Sequence, residues 1–380
     1  MGLRAVASGG SAGSGLPNVV VPSGKTLATA LPNFRAAMGK VSAGMANSAI
    51  VLVGDSTTRG TGSNNSASGN WFANAMPTKL TSLLNTQYSS TGISFDCQSF
   101  IGTGGTSFDV SSTDPRMSVG SGWVFTSQTS GGAFYSANGV TGNLAFTPIG
   151  SVDTMIIYYA KGVGFGKFHY NTDGGSNTIV DTSNASNALG TVTINPALGT
   201  HTVNINWDSV ASVFIIGVVA YNSANSGVRV INAGSGSSKV ADWNLTPSTA
   251  WGPMKSASSF GSSLIILALA INDWNAGTAL STYQTNYQTL ITQFLTVGDV
   301  ILWTGFASDP STHASVATQQ SYVNVAYSLA ASNGLILVDT WAREGAFATY
   351  NPLGIGYDGV HLNGAGYLDI AKALLGVLIP

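Results

Sequence analysis

The sequence predicts an α/β protein: a parallel sheet flanked by helices, with an all-β sandwich or jelly roll inserted into it. Three observations carry this. The apolar runs Ala49–Val53, Leu264–Ala270 and Leu335–Val338 are rich in aliphatic residues, as strands buried on both faces are. Stripes of apolar residues at helical spacing lie between such runs, and strands alternating with helices build parallel sheets through right-handed crossovers. Between about Asp114 and Asn225 the helical period disappears, and short β-type runs alternate with Gly/Asn/Ser turns.

Taken in order, residues 1–25 read as a flexible leader of Gly, Ser and Pro. Residues 26–113 form the first part of the α/β domain. Leu31, Phe34, Ala37 and Met38 mark a helix before the strand Ala49–Val53. Trp71, Phe72, Ala75, Leu80, Leu83 and Leu84 mark another, with Pro77 near its start. A strand from Ile93 to Ile101 leads into the glycine loop Gly102–Thr106. Residues 114–226 are the inserted sandwich. Its aromatics, among them Trp123, Tyr158, Tyr159, Phe168, Tyr170 and Trp207, fit a sandwich core or sugar-stacking platforms, and the core is the commoner use of alternating aromatics. Residues 227–380 resume the α/β pattern. The strand Val228–Asn232 enters a second glycine loop, Ala233–Ser237; Leu264–Ala270 ends in Ile271-Asn272-Asp273. Tyr283, Tyr287, Leu290, Ile291 and Phe294 mark a helix, Asp299–Trp303 a strand, Tyr322, Val325, Ala326 and Leu329 a helix, and Ala365–Leu378 the last helix.

With 380 residues the chain suits two domains or one carrying a large insertion. Only 8 % of it is charged and the net charge is -2, which gives no footing for nucleic acid or an acidic membrane surface. Its polarity comes from Ser, Thr, Asn and 47 glycines, a texture common in extracellular sugar-handling proteins. The single Cys97 leaves no internal disulfide and no cysteine-built metal site. No run reaches the roughly 20 apolar residues of a membrane span. Met1–Ala7 runs into Ser/Gly-rich sequence without a signal-peptide-length apolar segment. An extracellular or particle-associated location is expected, reached through a signal not seen here, cell lysis or particle assembly.

The chemistry centres on Gly54-Asp55-Ser56, where a buried strand stops abruptly at the edge at which open α/β sheets place their ligands. Ser56 is the candidate nucleophile. Of the four histidines, His169 and His201 lie in the insertion and His313 in a Ser/Thr loop, and each fits a surface or locally bonded imidazole. His361 differs, because Asp358 stands three residues before it and can orient its ring and stabilise the imidazolium. Asp-x-x-His also occurs as an ordinary helix-entry turn; its weight comes from following a strand-end serine in the order Ser, Asp, His. Asn272 leaves a buried strand at the same sheet edge, so its amide can donate to an oxyanion, although Asn-Asp after a strand is also a common turn. A glycine amide in a tight loop and the Ser56 amide complete the donors.

Gly54-Asp55-Ser56, a glycine loop after a later strand, Asn272-Asp273 after another, and Asp358-x-x-His361 near the end together resemble the SGNH (GDSL-type) hydrolase family. The resemblance implies a flavodoxin-like sheet with Ser56, Asp358 and His361 as triad and Asn272 plus a glycine as oxyanion hole. Gly236 is the preferred glycine, since the insertion then falls between two sequence blocks as a self-contained lobe. Gly105, in the loop after Ile101, is the alternative. Ala270 stands where the family usually has glycine. The lobe is similar to carbohydrate-binding modules of some O-acetylesterases. The resemblance thus implies a serine esterase that needs no cofactor or metal and removes O-acetyl groups from a polysaccharide. A general short-chain esterase or lipase, and a non-catalytic glycan-binding or phage-tail protein, are the alternatives.

Overall fold

The computed structural model describes residues 3–5, 18–101, 112–126, 134–244 and 253–379. Its centre is an eight-stranded sheet in the order Leu3–Ala5, Asn18–Pro22, Ile336–Asp339, Asp299–Trp303, Ser262–Ala268, Ser48–Gly54, Gly227–Gly234 and Ser94–Asp96. The last six run parallel. The first two form an antiparallel hairpin joined antiparallel to Ile336–Asp339. Without that hairpin and the short edge strand Ser94–Asp96, five parallel strands remain in the flavodoxin-like order 2-1-3-4-5. Ser48–Gly54 lies in the middle, and every one of its residues is buried.

Residues 18–22 correct the expected leader. Val19, Val20 and Val21 are buried in the second strand from the edge of the sheet, because a β-branched triplet finds an open strand to pair with. The surrounding Gly, Ser and Pro hide this signal in the sequence.

Helices cover the sheet close to where the periodicity puts them, except that the stripe starting at Trp71 is a 3-10 turn, Phe72–Asn74, and then a separate helix, Met76–Gln87, because Ala75 is extended between them. Pro32–Ser42 buries Phe34, Met38 and Val41, and Leu280–Phe294 buries Tyr283, Tyr287, Leu290, Ile291 and Phe294. Pro77 sits in the first turn of Met76–Gln87, where its missing N–H costs nothing. Gly334, left-handed at φ 64°, ends Val316–Asn333. Among the described residues no helix is long and apolar enough to cross a membrane.

Between Ser94–Asp96 and Gly227–Gly234 the chain leaves for two antiparallel sheets. One contains Ala188–Ile194, Thr154–Lys161, Val213–Tyr221, Phe134–Ala137 and Val124–Thr126; the other contains Thr178–Asp181, Lys167–Thr172, Val203–Ser209, Asn143–Phe146 and Met117–Val119. Trp123, Phe146, Ile157, Tyr159, Phe168, Ile205 and Ile215 share a core in this lobe and Tyr158 is buried in the core of the α/β part, so four of the candidate sugar platforms are core residues. Two expectations change. The predicted strand Ile93–Ile101 is two strands: Phe100–Ile101 already pairs with Val213–Tyr221 of the lobe, so the chain crosses over before residue 100. The lobe is also not self-contained. Tyr158, Ala160, Ile216 and Val219 belong to the core of the α/β part, and Tyr158 meets Phe260 edge-on at 5.1 Å.

Candidate active site

The strand Ser48–Gly54 delivers Ser56 to the carboxyl edge of the sheet as the first residue of a one-turn helix, Ser56–Arg59. Asp55 caps this turn, accepting from the Thr57 amide at 2.9 Å and the Thr57 hydroxyl at 2.7 Å. Burial raises the Asp55 carboxyl above its ordinary pKa, against the hydrogen bonds from Thr57 and the charge of His361. The turn ends at Gly60, left-handed at φ 100°, whose amide returns to the Ser56 carbonyl at 3.1 Å.

His361 arrives from the other end of the chain. Its Nε2 lies 2.9 Å from Ser56 Oγ, and its Nδ1 lies 2.9 Å from Asp358 Oδ2 and 3.2 Å from Oδ1. With Nδ1 donating to the carboxylate, Nε2 is left to accept the serine proton. Asp358 also folds its own loop, since Oδ1 accepts the amides of Val360 and His361 at 2.7 Å each. Burial pushes the Asp358 carboxyl up, but the hydrogen bond and charge of His361 and those two amides outweigh it and hold the carboxyl below its usual range. Asn363 then caps the last helix, Gly364–Leu378, and anchors the loop by donating to the Gly354 carbonyl at 2.7 Å.

Asn272 opens the short helix Ile271–Asn275 beyond the strand Ser262–Ala268. Its Nδ2 donates to the Ser238 carbonyl at 3.0 Å and reaches Asp55 Oδ2 only at 3.5 Å. The amide is thus tied between the nucleophile turn and the loop holding Gly236, and the hydrogen on the long contact is the weakly engaged one. Gly236 is buried in the turn after Gly227–Gly234. This turn is fastened to the nucleophile strand: the Ser235 amide and Ser238 hydroxyl both donate to the Gly54 carbonyl, at 2.9 and 3.3 Å. Gly105 lies outside the described residues.

Several supporting groups escape a reading based on spacing alone. Asp273, beside Asn272, accepts from the Val240 amide at 2.9 Å and so joins the helix of Asn272 to the loop after Gly236. Asp309 donates its amide to the Gly359 carbonyl at 2.8 Å, bracing the loop between Asp358 and His361. His313 belongs to that bracing segment, while His169 and His201 pair with Asp208 and Asp173 in the lobe. The only signal available for these was the N-cap pattern at Asn363; the others are long-range pairings.

The sheet and its flanking helices have the SGNH hydrolase fold, to which the two antiparallel sheets of the lobe are an addition. Residues 217–368 match the family described as GDSL-like lipase/acylhydrolase. That match includes Asn272, Asp358 and His361 but begins after Ser56, which the lobe separates from it. A comparison with curated proteins gives no match. Among solved structures, a peptidoglycan O-acetylesterase is similar over 92% of this chain and 95% of its own, with 14% identity and a TM-score of 0.67. A family two carbohydrate esterase from Cellvibrio japonicus aligns over 70% of this chain and 96% of its own, with 14% identity and a TM-score of 0.29, too low to carry an argument.

Proposed function

We propose that the protein is a serine ester hydrolase that works through an acyl-enzyme and removes O-acetyl groups from a polysaccharide. The hydrogen-bonded chain from Ser56 Oγ through His361 to Asp358 is the observation that carries this reading. In the proposed sequence Ser56 Oγ attacks the ester carbonyl while His361 Nε2 takes its proton, and Asp358 stabilises the imidazolium. Negative charge on the carbonyl oxygen is met by Asn272, Gly236 and the Ser56 amide. Collapse expels the sugar hydroxyl, which takes its proton from His361. Water, deprotonated by His361, then releases acetate and restores Ser56.

The acetyl-glycan substrate rests on the polar, nearly uncharged composition, on the sandwich packed against the hydrolase sheet, and on the fold shared with a peptidoglycan O-acetylesterase. The test is covalent labelling of Ser56 by a fluorophosphonate, located by mass spectrometry. It is followed by hydrolysis of p-nitrophenyl acetate and octanoate and by acetate release from acetylated xylan and O-acetylated peptidoglycan. Labelling at Ser56, preference for acetate and release from a glycan are the expected results. Octanoate preference without release from either glycan makes the protein a general esterase, and absence of labelling removes the nucleophile.

A further inference from the structure

A polar cavity of about 160 Å³ lies at the opposite end of the sheet, between the strands Ser94–Asp96 and Gly227–Gly234 and the lobe. Arg229 stands in register with Ala49, and Gly234 with Gly54. At about 3.3 Å per residue the cavity is therefore roughly 16 Å along the strand from Gly54, on the side away from Ser56. The sheet contributes Asp96 and Arg229 to its wall, and the lobe contributes Ser151, Tyr221 and Asn222.

Arg229 is the unusual member. Its Nε is buried and has no hydrogen-bond partner among the described residues. The guanidinium rests instead over the Tyr221 ring, 4.6 Å from its centroid, a contact that uses none of its hydrogens. Asp96 shares the cavity. Burial pushes its carboxyl up to about 6, against the Gln98 amide and the charge of Arg229. A rich donor and a rich acceptor thus line one space, with side-chain amides and hydroxyls between them.

That pattern selects a ligand. An anion meets Asp96, a cation meets Arg229, and an apolar group leaves both desolvated and unpaired. A ring bearing hydroxyls offers a donor and an acceptor at each position and satisfies both walls. The volume is close to the roughly 150 Å³ that holds one benzene ring in an engineered cavity, and the space is partly open to solvent, so one bulkier hydroxylated ring enters with part of its rim in water while a second ring finds no room. We infer that this cavity between sheet and lobe binds one neutral pyranose unit of a glycan, at a site separate from the Ser56 centre. The inference concerns binding alone and holds whether or not Ser56 is the nucleophile.

The experiment titrates the full chain with unacetylated cellohexaose, xylohexaose, maltohexaose and chitohexaose, and with trigalacturonate, by calorimetry. The variants are Arg229→Met, Asp96→Asn and Ser151→Trp. Ser151 is exposed at the rim, so its replacement fills the cavity without disturbing the buried pair. Binding of at least one neutral oligosaccharide, weakened at least about tenfold in all three variants while their hydrolysis of p-nitrophenyl acetate stays within about twofold, is the expected result. No binding of any neutral oligosaccharide at millimolar concentration overturns the inference. Binding unchanged in the Ser151→Trp variant, or confined to trigalacturonate, overturns it as well.

Discussion

At Ser56 and His361 the proposed chemistry depends on one 2.9 Å hydrogen bond. Ser56→Ala and His361→Ala are each expected to lower kcat for p-nitrophenyl acetate by about 10⁴-fold with thermal stability nearly unchanged. Steady-state kinetics beside a melting curve checks this, and a loss below tenfold in either removes the triad assignment. Asn272→Ala is expected to lower kcat by about 10²–10³-fold with little change in KM, since an oxyanion donor acts on the transition state. A change in KM alone would make Asn272 only a tie between Ser238 and Asp55. Ser56 and the Asp358–His361 pair were legible because each sits at a boundary that spacing reveals. The tie of Asn272 to Ser238 was not legible, because a hydrogen bond to a carbonyl 34 residues away leaves no mark on either residue type.

Among the elements, the junction of the central strand with the one-turn helix after it leaves no room for a side chain. A Cβ on Gly54 meets the Thr58 side chain and stands 2.7 Å from the Ala268 carbonyl oxygen. Gly54→Ala is therefore expected to cost about 1–3 kcal/mol of stability and to displace Ser56, lowering Tm and activity together. The short helix of Asn272 carries a pH signature. Burial raises the Asp273 carboxyl to about 6, partly offset by the Val240 amide and the Thr278 hydroxyl, so the folded chain holds that proton where the unfolded chain has lost it. This contribution to stability is complete below about pH 4 and is lost as pH rises through about 6. Tm measured from pH 4 to 7 is expected to fall less in Asp273→Asn than in the parent; identical slopes would mean that Asp273 is ionised throughout. Helices and buried strands were legible because their periods repeat. The strand Asn18–Pro22 was not, because its three valines are too few to outweigh their Gly/Ser/Pro surroundings.

For the whole molecule the lobe is the main question. Removing residues 115–225 exposes the apolar surface that Tyr158, Ala160, Ile216 and Val219 cover. The shortened chain is expected to be insoluble or unable to hydrolyse p-nitrophenyl acetate, as expression and size-exclusion chromatography would report. A soluble, active product would mean that the lobe serves only to hold polymer. Composition revealed where the β texture begins and ends. It did not reveal that Phe100–Ile101 joins the lobe, because pairing between sheets depends on partners more than 100 residues away.

The bond between Ser56 and His361 joins groups 305 positions apart, with the entire lobe in the interval. Closing so large a ring is entropically costly and comes late. Whatever cleaving power the protein has is therefore acquired only when nearly all of the chain has found its place. A half-made or half-unravelled molecule is harmless to any ester it meets.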